Sequence, residues 1–337
     1  MSILIKKRND AAFHVRLNRS KKSYFASLVI FFMLGVLSYS QTSFATNCKV
    51  NNCENFPIVT EIEGIYFPLS LMQKRQNLKP TNDKYYIYHW QPIKNNMSPY
   101  VVMLPSSGGI TQGSAKTYYR YSQKLLKLGF GVVIVDIFQN SGVKKGTVSR
   151  GPLASMAALS ALKYIKENFS EFSNGKFGVL GESRGGMTVL SLASEGIRKN
   201  HLYKNVTTWF DAGVAFYPSC GEQELTMPVQ IFIGNLDEWV SAAGCKSWLF
   251  SASELVSQGK LNINIYTGVH HLFNRETNVD LTRSNSQSHD LGGRASLYNK
   301  DADLDSENKM LSFFFSHLLT LKITHQNSLI HDLYTEV

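Results

Sequence analysis

Cysteine is scarce in this sequence. The four residues stand at positions 48, 53, 220 and 245 of a 337-residue chain. They do not form two C-x-x-C pairs, which excludes the usual zinc knuckle, and no metal or other cofactor is expected. Long apolar runs are missing too. The run Phe25–Leu37 has 13 residues, short of the roughly 20 that a membrane-spanning helix needs. Acidic side chains are outnumbered, 25 against 35 basic ones, for a net charge of +10. Seven of the bases and one acid lie in residues 1–45, so +6 of that charge is local and +4 remains on residues 46–337. A solvated, mildly basic surface accounts for that remainder, and nucleic-acid binding is not expected. No internal repeat and no low-complexity segment interrupts the chain. What is present in quantity is apolar side chain, 43% of the total, enough for one large domain with a sizeable core.

Residues 1–45 read as an export signal. A basic segment precedes the apolar run F-A-S-L-V-I-F-F-M-L-G-V-L, and Ser43-Phe44-Ala45 fits a small-x-small cleavage site. Cleavage predicts a periplasmic or secreted protein without a stable membrane span; an uncleaved segment would be an N-terminal anchor. Cys48 is no lipid-attachment cysteine, because Ala45-Thr46-Asn47 lacks leucine three positions before it. In an oxidising compartment all four cysteines are free to pair. Cys48 and Cys53 suit a local loop. Cys220 and Cys245 both follow predicted strands that end on the same face, which predicts their pairing.

Residues 46–98 form a lead-in. Glu61–Met72 and Tyr85–Trp90 are strand-like with a turn at Lys79–Asp83, an antiparallel pair for a sheet edge. From about residue 99 to 325 the pattern becomes strand–helix alternation. Strands are predicted at Tyr100–Leu104, Gly131–Val135, Lys176–Leu180, Ala212–Tyr217, Val229–Ile233 and Leu261–Tyr266. Helices are predicted at Ala115–Leu128, Leu153–Asn168, from the glycines after Ser183 to about Arg198, about Ser241–Val256 and Asp305–Leu321. This alternation argues a mostly parallel, doubly wound α/β sheet. Residues 326–337 are left as a tail, and the long polar stretch 274–300 reads as a surface flap.

The organising stretch is Gly175–Gly186, G-K-F-G-V-L-G-E-S-R-G-G. A short apolar strand runs into G-x-S-x-G and then into a helix-like pattern. That is the nucleophile elbow of an α/β-hydrolase. The flanking glycines leave room for a turn too sharp for Cβ atoms, and Ser183 is held in a strained conformation beside a helix N-terminus.

In such sheets the chemistry gathers at the carboxyl ends of the strands. After Tyr100–Leu104 comes Pro105-Ser106-Ser107-Gly108-Gly109, placed to donate one backbone N–H to an oxyanion. Ser107 is the expected donor, and Arg184, following the nucleophile, supplies the other. After Val229–Ile233 come Asp237 and Glu238; Asp136 follows a different strand. The order Ser…Asp…His favours Asp237 as the carboxylate that orients an imidazole. After the last strand stand His270 and His271, adjacent, either of which is placed to take the serine proton.

These segments together resemble the dienelactone hydrolase family of α/β-hydrolases over roughly residues 100–321. G-E-S-R-G-G at 181–186, V-V-M-L-P-S-S-G-G at 101–109, G-V-V-I-V-D at 131–136, I-G-N-L-D-E-W-V-S-A-A-G-C at 233–245, G-V-H-H-L-F at 268–273 and L-Y-N-K-D-A at 297–302 fall in family order. The family has a histidine two before a phenylalanine, which selects His271, and supports Asp237 in its G-x-x-D position. Founding members use a cysteine nucleophile where this chain has Ser183, so their lactone specificity does not carry over. Pro105 stands where many hydrolases have histidine, and residues 46–98 lie outside the resemblance. The resemblance implies an exported serine hydrolase of small-molecule esters or lactones acting through Ser183, His271 and Asp237. A peptidase or acyltransferase on the same fold and a catalytically silent binding protein are the other readings. Substrate identity and oligomeric state have no signature in the chain.

Overall fold

The computed structural model describes residues 5–6, 12–13, 58–63, 84–92, 98–137, 151–169, 175–276 and 294–319. The apolar run 25–37, the expected cleavage site at 43–45, Cys48 and Cys53, and residues 138–150, 277–293 and 326–337 lie outside the described residues. Met1–Phe56 forms one unit, in which Ile5–Lys6 (β1) pairs antiparallel with Ala12–Phe13 (β2).

The second unit, Pro57–Val337, is built on one eight-stranded sheet. Its strands are Ile58–Glu63 (β3), Lys84–Trp90 (β4), Tyr100–Leu104 (β5), Gly131–Asp136 (β6), Phe177–Glu182 (β7), Ala212–Phe216 (β8), Val229–Gly234 (β9) and Leu261–Tyr266 (β10). Their order across the sheet is β10-β9-β8-β7-β5-β6-β4-β3. The six strands from β10 to β6 run parallel; β4 is antiparallel to β6, and β3 antiparallel to β4. Strands β5 to β9 are buried along their whole length, as their unbroken apolar sequences require when helices cover both faces. At the edge, β10 alternates: Leu261 and Ile263 are buried while Asn262 is exposed.

The helices are Gln112–Lys127 (α1), Gly151–Asn168 (α2), Arg184–Ala193 (α3), Glu195–Arg198 (α4), Ala243–Ser251 (α5), Ser253–Ser257 (α6) and Lys300–Leu318 (α7). A reciprocal cap starts α1: the Ser114 N–H donates to Thr111 Oγ1 at 3.2 Å, and the Thr111 N–H donates to Ser114 Oγ at 2.8 Å. Helix α1 is joined to α7 by Arg120, which donates to both carboxylate oxygens of Asp303 at 2.8 and 2.6 Å. Glu307 accepts ion pairs from Arg120 and Lys124 in the same seam. Burial pushes the Asp303 carboxyl up to about 6 against the opposing pull of Arg120. Among the described residues no helix is long and apolar enough to cross a membrane.

Several boundaries differ from the sequence reading. The antiparallel pair is present at the sheet edge, with its first strand starting at Ile58, three residues before the expected Glu61; residues 64–72 lie outside the described residues. The helix after Ser183 ends at Ala193, because Ser194 turns to bridge Leu225 and only a short turn, α4, follows. The segment expected as one helix over 241–256 is broken at Ala252, whose ψ of 36° leaves the helical region. Helix α7 begins at Lys300, earlier than expected, because Asn299 Oδ1 accepts the Ala302 N–H at 3.0 Å.

Candidate active site

Ser183 sits between the end of β7 and the start of α3. Its φ is 53° and its ψ −110°, a region that side-chain-bearing residues rarely occupy. The turn is possible because of the glycines around it. A Cβ on Gly181 would fall on the backbone of Gly185, and a Cβ on Gly185 would fall on the Leu104 carbonyl oxygen. The elbow is thus pressed directly against the end of β5, where the Pro105–Gly109 loop begins.

The structure brings three of the expected side chains into one line. His271 Nε2 lies 3.2 Å from Ser183 Oγ, and His271 Nδ1 lies 2.6 Å from Asp237 Oδ2. Asp237 is held from its other oxygen: Oδ1 accepts the Trp239 and Val240 N–H groups, each at 2.9 Å. Three close contacts align the two loops that carry Asp237 and His271. The Leu236 N–H donates to the Val269 carbonyl at 3.0 Å, and the Gly268 N–H to Asn235 Oδ1 at 2.7 Å. Gly234 packs so tightly on Val269 that a Cβ there would overlap its carbonyl. The His271 ring lies 4.5 Å from the Tyr217 ring and 6.0 Å from that of Trp239, nearly parallel to the latter. A buried Asp–His pair ending on a serine hydroxyl can remove that hydroxyl's proton and hold it on the imidazole.

The rival residues have other places. Glu238 Oε2 accepts the Ala295 N–H at 2.8 Å, anchoring the segment that returns to α7. Asp136 ends β6 opposite Tyr86 of β4. His270 is half-buried and its Nδ1 has no hydrogen-bond partner. In the Pro105–Gly109 loop the Gly109 N–H donates to the Ser106 carbonyl at 2.9 Å, making Ser107 the half-buried tip of a turn, and Arg184 opens α3. Cys220 and Cys245 form a disulfide with Cα atoms 4.9 Å apart, beside the loop that carries Asp237.

The sequence reading missed the polar cluster beneath the site. Glu182, immediately before Ser183, is completely buried. Its Oε2 accepts from Arg275 Nη2 at 2.5 Å and from the Tyr118 hydroxyl at 2.9 Å, and its Oε1 accepts from Asn274 Nδ2 at 2.8 Å. So the start of the stretch 274–300 is not a surface flap: Asn274 and Arg275 are buried. One signal was available. A carboxylate ending an apolar strand such as F-G-V-L-G-E must find donors inside the protein, and an arginine stands four residues after His271.

Residues 87–318 match the dienelactone hydrolase family, beginning earlier than the resemblance drawn from motifs because β4 belongs to the sheet. No curated protein matches the chain by sequence. Many solved structures share its fold, two of them as follows. One is a dienelactone hydrolase-like promiscuous phosphotriesterase from metagenomic libraries, at 18% identity and a TM-score of 0.51, covering 78% of this chain and 100% of that one. The other is esterase 2 of Thermogutta terrifontis, phosphorylated by paraoxon, at 10% identity and a TM-score of 0.53, covering 81% of this chain and 100% of that one. An elbow serine on this sheet, within a match that spans most of the chain, identifies a serine hydrolase of carboxylic esters that belongs to the dienelactone hydrolase family.

Proposed function

We propose that Ser183, His271 and Asp237 are the catalytic triad of an exported hydrolase that cleaves carboxylic esters or lactones through an acyl-enzyme. The observation that carries the reading is the continuous line Asp237 Oδ2–His271 Nδ1, His271 Nε2–Ser183 Oγ. His271 Nε2 takes the hydroxyl proton as Ser183 Oγ bonds to the substrate carbonyl carbon. Asp237 holds Nδ1–H and stabilises the imidazolium that forms. The carbonyl oxygen becomes an oxyanion, for which the N–H groups of Ser107 and Arg184 are the proposed donors; each such donor is typically worth about 3 kcal/mol of barrier. The intermediate collapses and the C–O bond to the leaving group breaks. The leaving alkoxide takes the proton from His271. In a lactone that oxygen remains tethered to the acyl group. Water then repeats the sequence and frees Ser183.

Phosphorylation of the Thermogutta esterase by paraoxon suggests a direct test. Paraoxon should add to Ser183 of this protein, as shown by intact mass and peptide mapping, and a panel of esters, lactones and peptides should show turnover confined to esters and lactones. Labelling of Ser183→Ala at the wild-type rate, or no labelling of the wild type, would overturn the reading. The Cys220–Cys245 bridge supports export to an oxidising compartment. N-terminal sequencing of the exported protein should find the mature chain starting after Ala45; a chain starting at Met1 would overturn the cleavage.

A further inference from the structure

We infer that Glu182 is a positioning residue, which through Arg275 and Asn274 locks the nucleophile strand, the histidine loop and the oxyanion loop into one register. The inference rests on Ser183 being the nucleophile and His271 its base.

The three loops leave different strands, and Glu182 is where they meet. Its own backbone leads directly into Ser183. Asn274 and Arg275 follow His271 by three and four residues, and both donate to its carboxylate. Arg275 Nη2 also donates to Ser106 Oγ at 3.1 Å, reaching the loop that carries Ser107. The cluster continues behind the imidazole. The Tyr217 hydroxyl donates to Asn274 Oδ1 at 2.9 Å, and the Tyr217 ring packs 4.5 Å from that of His271. Asn274 is fixed further by Tyr121, whose hydroxyl accepts from Nδ2 at 3.0 Å, and by Thr117, whose hydroxyl donates to its carbonyl at 3.2 Å.

Two observations make this more than packing. First, a buried ion pair is an inefficient way to stabilise a core, because desolvation offsets most of the attraction and an apolar pair of similar volume does as well. What the ion pair adds is direction, since Glu182 accepts along three fixed lines. Second, among the described residues the non-glycine positions with positive φ are Ser183 at 53°, Tyr217 at 39° and Leu272 at 57°. All three lie on segments that this cluster joins. Strained backbone persists only where its surroundings over-determine it, and the Glu182 cluster is what surrounds these. Burial, reinforced by the Glu182 carboxylate, holds the Tyr118 and Tyr217 phenols well above their ordinary range, so both remain donors. Burial opposes the Arg275 charge, but the Glu182 carboxylate more than restores it, so the pair stays ionised on the arginine side.

The test compares Glu182→Gln, the double variant Glu182→Leu with Arg275→Met, and Ser106→Ala. The readouts are kcat and KM on a p-nitrophenyl ester, counted per site titrated to completion with a fluorophosphonate, together with Tm. Positioning predicts that Glu182→Gln lowers kcat about 100-fold with KM little changed, the size of effect that a displacement of about 1 Å produces. The double variant leaves no unpaired charge and should fold, yet its kcat should stay at least about tenfold down. A double variant with wild-type kcat per titrated site would overturn the inference, since only charge compensation would then be at stake. Should that variant fail to fold, Ser106→Ala decides. It keeps the ion pair and removes only the link to the oxyanion loop, so a reduced kcat at wild-type Tm supports positioning and an unchanged kcat overturns it. Failure of the underlying triad reading looks different: the wild type itself would then neither turn over nor label at Ser183.

Discussion

Ser183 Oγ and His271 Nε2 stand 3.2 Å apart with 88 residues of chain between them. The contact exists because β7 and β10, three positions apart in the parallel sheet, both end on the same side. The β10 loop then folds back over β8 and β9 to reach the elbow. Ser183→Ala should abolish ester turnover and organophosphorus labelling with Tm unchanged. His271→Ala should lose about 10⁴-fold or more, and Asp237→Asn about 10⁴-fold, the cost of the wrong imidazole tautomer. His270→Ala should lose little. A dead His270→Ala variant beside an active His271→Ala variant would reverse the assignment of the base.

The elbow depends on a bare Cα at Gly185. Gly185→Ala sets a methyl on the Leu104 carbonyl oxygen, backbone against backbone, with no flexible side chain to yield. The expected cost is about 3 kcal/mol or more in urea unfolding, together with loss of labelling at Ser183. Gly221→Ala is the control: nothing lies within 4 Å of its added Cβ. Equal stability of the two variants would show that the elbow relaxes around the methyl.

The Cys220–Cys245 bridge closes a loop of 25 residues that contains Asp237. Chain-entropy arguments give such a closure about 3 kcal/mol. Mild reduction should lower Tm and slow turnover while Ser183 still labels to completion, because the nucleophile is untouched and only the orientation of His271 loosens. Free thiols at both positions in non-reducing peptide maps of the purified protein would remove the basis for this expectation.

Acid should act on the fold through His89. Burial pushes its imidazole from 6.5 down to about 4, so the folded state resists protonation that the unfolded chain accepts. That stability is fully present above pH 6.5 and is lost as pH falls toward 4, a linkage of about 3 kcal/mol. Asp303 works in the opposite sense. Its carboxyl is raised from 3.8 to about 6, so it favours the fold as pH falls through the same window. The wild-type profile is therefore a difference of two effects, and His89→Phe isolates one of them. Between pH 7 and 4.5 the variant should lose about 2 kcal/mol less in urea unfolding than the wild type. Equal losses would mean that His89 is protonated in the folded protein.

The local features of this protein are determined by its sequence alone. Unbroken apolar runs such as V-V-M-L and G-V-V-I-V have one stable place, the middle of a doubly covered parallel sheet. The spacing of Gly181, Gly185 and Gly186 around Ser183 is a steric requirement legible without coordinates. The order of elements was enough to place Asp237 beyond one strand and the histidine pair beyond another. What the residues alone left open was decided at long range. His270 and His271 are chemically equivalent in a string of letters, and resemblance to a family was needed to separate them. In the folded chain they differ because one meets Asp237 across 34 residues and the other does not. The ends of α3 and α5 were misjudged because Ser194 is captured by Leu225 and Ala252 leaves the helical region, events with no periodic trace. Glu182 is the clearest case. Its donors come from α1 and from the loop after β10, 64 to 93 residues away. A buried carboxylate announces that it needs partners, but only the tertiary structure decides which side chains arrive, because nothing in local sequence encodes contacts between elements brought together by the closing of the sheet.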